Sequence, residues 1–383
     1  MTSLATWAAP CTSCGRDEGG WSRCRACAGV RAADGAAAPG AGVGVGVWRH
    51  RAWLPPVETE VSLGEGGTPL LRCDRSAARA GVSRLWVKNE CVNPTLSFKD
   101  RAMALGVSLA LDAGARGVVA ASTGNTASSA ASYAARAGLP CRVVCAESAA
   151  GGPKLAAAAA AGARVEPVAG DFSTAYAVAT RSEADGWYPL TTTFRNPWIT
   201  AAHRGVAVEL VEHAERTGAA VPDWVVVPVG AGPLLVGIHD GFRALLAAGR
   251  LSRLPRLVAV QAAACAPLAA AWRDGAESVT ALPAGHTVAE AIADPMRGYE
   301  DEGALTLAAV RDSGGTVVAV PDADIVAARD DLARDEGLLV EPAAAAPLAA
   351  LRRLLADGTV PASGDVVLVA TGHGAKEPAG GDR

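Results

Sequence analysis

From about residue 83 onward the chain alternates short β-branched runs with longer stretches rich in alanine and leucine. The runs are Leu85–Lys88, Gly117–Ser122, Cys141–Ala146, Arg164–Val168, Trp224–Val229, Leu257–Gln261, Thr316–Val320 and Asp365–Ala370. Between them lie Phe98–Leu111, Thr126–Ala137, Pro153–Ala161, Gly205–Thr217, Leu235–Ala248, Asp322–Asp335 and Ala343–Leu355. Parallel strands need a long crossover, and a helix is the crossover that satisfies its own backbone. The alternation therefore predicts an α/β chain of doubly wound, largely parallel sheets with helices on both faces. No period of 20–50 residues, the mark of a solenoid, is present.

At 383 residues, half of them apolar, the chain is long enough for roughly two domains. Its net charge of -4 is spread as mixed acid and base, without a basic stripe or an acidic tail. That distribution speaks against nucleic acid and against a membrane surface as partners. The apolar runs Ala156–Ala161 and Ala343–Ala350 fall short of the roughly 18 residues a membrane span needs. Met1–Pro10 has no basic residue ahead of an apolar stretch, so it does not read as a secretory leader. With an odd nine cysteines, a reduced cytoplasm is expected.

Four of those cysteines, Cys11, Cys14, Cys24 and Cys27, are spaced C-x2-C-x9-C-x2-C. Two such pairs suit a tetrahedral thiolate zinc site, although a ribbon that has lost its metal keeps the same spacing. A Gly/Ala/Val stretch, Gly35–Val47, then reads as a linker.

Lys99 lies in Asn93-Pro94-Thr95-Leu96-Ser97-Phe98-Lys99-Asp100-Arg101. Pro94 biases Asn93 away from helix, and Ser97 with Asp100 three residues on predicts a capping box. A helix starting at Phe98 puts Lys99 in its first turn, where positive partial charge favours the neutral amine of carbonyl chemistry. Taken alone, a lysine flanked by Asp100 and Arg101 fits a solvated helix equally well. Elsewhere, strand Val118–Ser122 meets a helix start near Thr126 through Gly124, leaving backbone N–H groups suited to an anion. Strand Trp224–Val229 likewise enters Gly230-Ala231-Gly232-Pro233-Leu234, small residues that let backbone approach a phosphate.

Asn93–Arg101 resembles the cofactor-lysine segment of fold-type II pyridoxal-phosphate (PLP) enzymes, especially threonine synthases. Ser122-Thr123-Gly124-Asn125-Thr126 resembles their substrate-carboxylate loop, and Glu341-Pro342 with Thr371-Gly372-His373-Gly374 resembles their C-terminal signatures. The four-cysteine segment also occurs in some threonine synthases. The resemblance spans about residues 60–378. It implies PLP held by Lys99 as a Schiff base beside Phe98, with Asn125 on the cofactor's 3′-oxygen. It also implies Gly230, Ala231, Gly232, Pro233 and Leu234 around the phosphate, and Thr371 at the pyridine nitrogen. A hydroxyl partner there makes a weaker electron sink than a carboxylate, favouring elimination and replacement over transamination.

Several positions depart from the family pattern. Pro233 removes an N–H donor, a loss tolerated at a first helical position. Leu96 and Ala102 stand where glycines are common. After Asn196-Pro197, the family's Gly-x-Lys-Thr is replaced by Ala202, His203, Arg204 and Gly205. Arg204 and Lys154 are the candidate grips for a substrate phosphate, with Lys88 a further cation.

The resemblance implies two doubly wound domains with PLP in the cleft between them. The expected division is a four-cysteine segment 1–34, a large domain from 35–102 and 205–383, and an inserted domain 103–204. The expected activity is that of a PLP-dependent carbon–oxygen lyase turning O-phosphohomoserine and water into threonine and phosphate, in a cytoplasmic homodimer acting on a small amino acid. Two alternatives stand beside it. One is β-elimination or β-replacement on serine, threonine or O-phosphoserine; the other is a metal-binding regulatory protein with a degenerate PLP site.

Overall fold

A computed structural model describes residues 7–17, 34–35, 44–283 and 285–377. In chain order the strands are β1 (Trp7–Ala8), β2 (Asp34–Gly35), β3 (Leu70–Arg72), β4 (Arg84–Asn89), β5 (Gly117–Ala121) and β6 (Cys141–Ala146). They continue with β7 (Arg164–Val168), β8 (Trp187–Pro189), β9 (Trp224–Pro228), β10 (Arg256–Ala262), β11 (Thr316–Val320) and β12 (Asp365–Ala370). The helices begin with α1 (Asp74–Ala80), α2 (Lys99–Asp112), α3 (Asn125–Ala137), α4 (Pro153–Ala160), α5 (Phe172–Arg181) and α6 (Pro197–Thr200). They end with α7 (Arg204–Thr217), α8 (Pro233–Ala247), α9 (Pro267–Arg273), α10 (Gly303–Asp312), α11 (Asp322–Glu336) and α12 (Pro342–Ala356). The chain forms two compact units, one from residues 1–67, 93–205 and 377–383, the other from 68–92 and 206–376.

The first unit carries a four-stranded sheet in the order β7-β6-β5-β8, every pairing parallel. Its core sets Val118, Ala120 and Val143 of the sheet among Ala127, Ala130 and Ala134 of α3 and Met103 and Leu105 of α2. Alanine on α3 lets the helix approach the sheet closely, which is how an alanine-rich run still fills a core. The second unit carries a six-stranded sheet in the order β11-β10-β9-β12-β4-β3, parallel except for the antiparallel edge strand β3. Its core joins Val226, Val258, Leu368 and Leu85 to the alanine face of α12 and to Ile325 and Leu332 of α11.

All eight expected strands and all seven expected helices form, with ends moved by no more than two residues. Among the described residues nine further elements form: helices α1, α5, α6, α9 and α10, and strands β1, β2, β3 and β8, the strands each two or three residues long and too short for alternation to show. The expected linker Gly35–Val47 is corrected at its end. Gly46–Trp53 forms 3-10 turns, and Val47 and Trp48 are core residues because their side chains close over α2 and its neighbours. The expected division had placed 35–102 with the C-terminal half. Residues 44–67 and 93–102 instead belong with 103–205, tied there by Asn93 to Gly66 and Asp100 to Ser129. Among the described residues no helix is long and apolar enough to cross a membrane.

Candidate active site

In the first unit the lysine segment is built as a turn followed by a helix. Leu96 N–H donates to the Asn93 carbonyl at 2.7 Å, and Asn93 Oδ1 accepts the Gly66 N–H at 2.8 Å. Leu96 sits at φ +63°, a left-handed conformation that glycine adopts freely and leucine does not. Helix α2 then opens at Lys99 itself.

The expected capping box is absent: Phe98 is the N-cap, and the buried Ser97 hydroxyl has no hydrogen-bond partner among the described residues. The Asp100 carboxylate is claimed elsewhere. It accepts the Thr95 N–H at 2.6 Å and the hydroxyls of Thr95 and Ser129 at 2.5 Å each. This buried carboxylate is directed at the preceding loop and at α3. Lys99 Nζ donates to Thr192 Oγ1 at 2.6 Å and lies 4.4 Å from the centre of the Phe98 ring. Thr192 Oγ1 in turn is 2.9 Å from Thr126 Oγ1.

The Ser122–Thr126 loop leaves the carboxyl end of β5 and opens α3. Ser122 Oγ accepts the Gly124 N–H at 3.0 Å, and Gly124 is an N-cap without a side-chain cap. The N–H groups of Thr123 and Thr126 meet no acceptor among the described residues. A Cβ added to Gly124 would meet nothing within 4 Å, so the loop faces open space there. Such a helix start suits a carboxylate.

Sequence reasoning missed Thr191–Thr193, which follow β8. Strand β8 lies beside β5, on the side opposite β6, so the strand order reverses between β5 and β8. Ligand sites of open α/β sheets form at the carboxyl ends of strands where that reversal occurs. Only a three-residue strand ending in proline signalled it.

The second unit repeats the arrangement. Its order reverses between β9 and β12, neighbouring parallel strands whose carboxyl ends carry Gly230–Leu234 and Thr371. The N–H groups of Gly230, Ala231, Gly232 and Leu234 have no acceptor among the described residues. Gly232 is at φ +109°, and a Cβ there would lie 2.1 Å from Thr306 Oγ1, which donates to the Ala231 carbonyl at 2.6 Å. The loop therefore requires glycine, and its bare amides at the start of α8 make an anion cradle. Pro233 occupies the first helical position, as its missing N–H allows. Thr371 is buried at the end of β12. Glu341 N–H donates to the Gly372 carbonyl at 2.9 Å, which joins the two C-terminal signatures.

None of the three candidate phosphate cations has an exposed side chain. Lys154, in the first turn of α4, is engaged by Glu377 at 3.0 Å. Arg204 is buried at the start of α7 and is not a surface arginine. Lys88 is not solvated: it is buried and donates to Glu209 and to the Thr68 carbonyl, each at 2.5 Å. His203 is buried with its ring 5.4 Å from that of Phe98. Burial, then the charges of Lys99 and Arg101, holds its imidazole well below the usual value, so it stays neutral.

Of the cysteine set, Cys11 is buried and Cys14 exposed, while Cys24 and Cys27 lie outside the described residues. No cluster of metal-ligating side chains occurs among the described residues.

Within the first unit an amine held by neutral hydroxyls suits an aldehyde, and within the second the bare amides at the start of α8 suit a phosphate. Comparison with known proteins agrees. The model of the pyridoxal-phosphate dependent enzyme family matches residues 61–372. A threonine synthase of Methanosarcina acetivorans is 39% identical over 333 residues, covering 87% of this chain and 80% of that protein. A threonine synthase of Mycobacterium leprae is 36% identical, covering 87% and 88% respectively. Among solved structures, Escherichia coli diaminopropionate ammonia lyase superposes with a TM-score of 0.69 at 16% identity, covering 82% of this chain and 85% of that one. Maize serine racemase superposes with a TM-score of 0.65 at 23% identity, covering 80% and 89%; at such identities these two show the fold alone. The chain belongs to the pyridoxal-phosphate dependent enzymes and, within them, to the threonine synthase family.

Proposed function

We propose that this chain is a PLP-dependent lyase converting O-phosphohomoserine and water to threonine and phosphate. The observation that carries the reading is Lys99 Nζ at the head of α2, held by Thr192 and, through it, next to Thr126 of the carboxylate loop. Lys99 and Asn125 of the first unit and Gly230–Leu234 and Thr371 of the second are the residues that would hold the cofactor. When bound, PLP supplies an electron sink for the carbon next to the substrate amine. The amides of Thr123 and Thr126, which meet no acceptor among the described residues, bind and orient the substrate carboxylate. Lys99 takes the α-proton and returns a proton along the chain, so that phosphate leaves the γ-carbon and water adds at the β-carbon. Arg204 is the proposed grip on the leaving phosphate, with Lys154 available once it leaves Glu377.

The pairing of Lys154 with Glu377 favours a second reading, β-elimination or β-replacement on serine, threonine or O-phosphoserine. One assay separates the two. The purified enzyme is given each substrate, and phosphate, ammonia and amino-acid products are followed together. Phosphate and threonine from phosphohomoserine support the first reading; a 2-oxo acid from serine or threonine supports the second. Lys99→Ala should abolish either activity, and borohydride should fix the cofactor on Lys99. A homodimer, a cytoplasmic location and zinc on Cys11, Cys14, Cys24 and Cys27 are proposed on the same resemblance. Light scattering, fractionation and metal analysis test them in turn.

A further inference from the structure

Thr192 is held where it is by its neighbours. Thr191 Oγ1 accepts the Ala121 N–H at 2.9 Å, and Leu190 N–H donates to the Val119 carbonyl at 2.8 Å, so this loop is sewn to β5. Thr193 Oγ1 accepts the Arg195 N–H at 3.2 Å, and its own N–H donates to the Thr191 carbonyl at 2.9 Å. The hydroxyls on either side of Thr192 thus accept backbone N–H groups, one of β5 and one of the loop, while the Thr192 hydroxyl meets the Lys99 and Thr126 side chains.

We infer that Thr192 is a positioning residue for Lys99, orienting its nitrogen and linking that orientation to the substrate-carboxylate loop. The inference rests on the PLP reading above and deepens it. A hydroxyl has one proton and two lone pairs. While the lysine nitrogen is a donor, Thr192 accepts from it and donates to Thr126. When the nitrogen offers a lone pair, Thr126 donates to Thr192, and Thr192 donates to the nitrogen. The pair therefore satisfies the nitrogen in both protonation states by reversing its direction. A carboxylate in this place would hold the lysine charged, and the face of the Phe98 ring, 4.4 Å away, attracts only the cation.

The test uses holoenzyme carrying Thr192→Val or Thr192→Ser, with three readouts. These are borohydride labelling of Lys99, the pH midpoint of the cofactor's visible band, and kcat against KM. The valine variant should still be labelled, but its midpoint should move by half a pH unit or more. Its kcat should fall about tenfold, with KM changed less, as loss of one hydrogen bond predicts. The serine variant should stay within about twofold of the parent. An unmoved midpoint and kcat in Thr192→Val overturns the inference. So does a serine variant as impaired as the valine one, since the methyl group and not the hydroxyl would then matter. If Thr192→Val does not fold, Thr192→Ala gives the same readouts. Absence of label on Lys99 in the parent enzyme overturns the PLP reading itself, and this inference with it; label with an unmoved valine variant overturns Thr192 alone.

Discussion

The carboxylate of Asp100 accepts the hydroxyl of Ser129 at 2.5 Å, joining α2 to α3 at the turn that presents Lys99. Both residues are fully buried. With the N–H and the hydroxyl of Thr95, this bond brings three donors onto the Asp100 carboxylate.

Ser129→Ala removes one donor to this carboxylate and should cost about 1–3 kcal/mol. Asp100→Ala strands the Thr95 N–H and two hydroxyls together and should cost more. Urea unfolding of both variants, read with the cofactor's absorbance, checks the order; a costlier Ser129→Ala would contradict it.

Leu96 holds a left-handed conformation at φ +63°. Its strain is about 1–2 kcal/mol, part of which glycine's extra freedom in the unfolded chain offsets. Leu96→Gly should therefore raise stability by about 0.5 kcal/mol, while the stiffer Leu96→Val lowers it by about 1 kcal/mol. Denaturation midpoints of the two variants should move in opposite directions.

Gly232→Ala must place a Cβ on Thr306 Oγ1, so the bond that fixes the Ala231 carbonyl has to break. Stability should fall by about 2 kcal/mol or more. Cofactor affinity, measured by absorbance titration, should fall at least about tenfold. Unchanged affinity would remove this loop from the cofactor's phosphate.

Lys88 and Glu209 form an ion pair whose side chains are 2% and 5% exposed. Lys88→Met takes from the buried Glu209 carboxylate its cationic partner and should cost about 3–5 kcal/mol. The double variant Lys88→Met with Glu209→Leu should recover most of that loss, measured as a double-mutant cycle.

His203 is kept neutral in the fold by burial and by the charges of Lys99 and Arg101. Unfolded, its imidazole titrates near 6.5. The unfolded state thus binds the extra proton as pH drops, so wild-type stability is full above about 6.5 and falls below it by up to about 1.4 kcal/mol per pH unit. His203→Gln lacks this term, so its stability relative to the parent should improve steadily from pH 6.5 to pH 5. Parallel pH profiles of the two proteins would exclude the effect.

Lys99 shows what a sequence by itself determines here. The β-branched runs and alanine-rich stretches specify strands and helices because hydrophobic periodicity is local, and long elements carry many repeats of it. The helix starts that follow Ser122–Gly124 and Gly230–Gly232 were legible for the same reason, since small residues after a strand mark where a helix opens with exposed amides. Strand order was not legible. Which strand lies beside β5 is settled by packing between residues some 70 positions apart, and β8 is too short to announce itself. That placement brings Thr192 to Lys99, across 93 residues of chain. It is also tertiary packing that buries Lys88 against Glu209 and turns Asp100 from the expected cap toward Ser129. A charged side chain's partner depends on what the fold brings within about 3 Å, and that distance is set by the whole unit, not by neighbours in sequence.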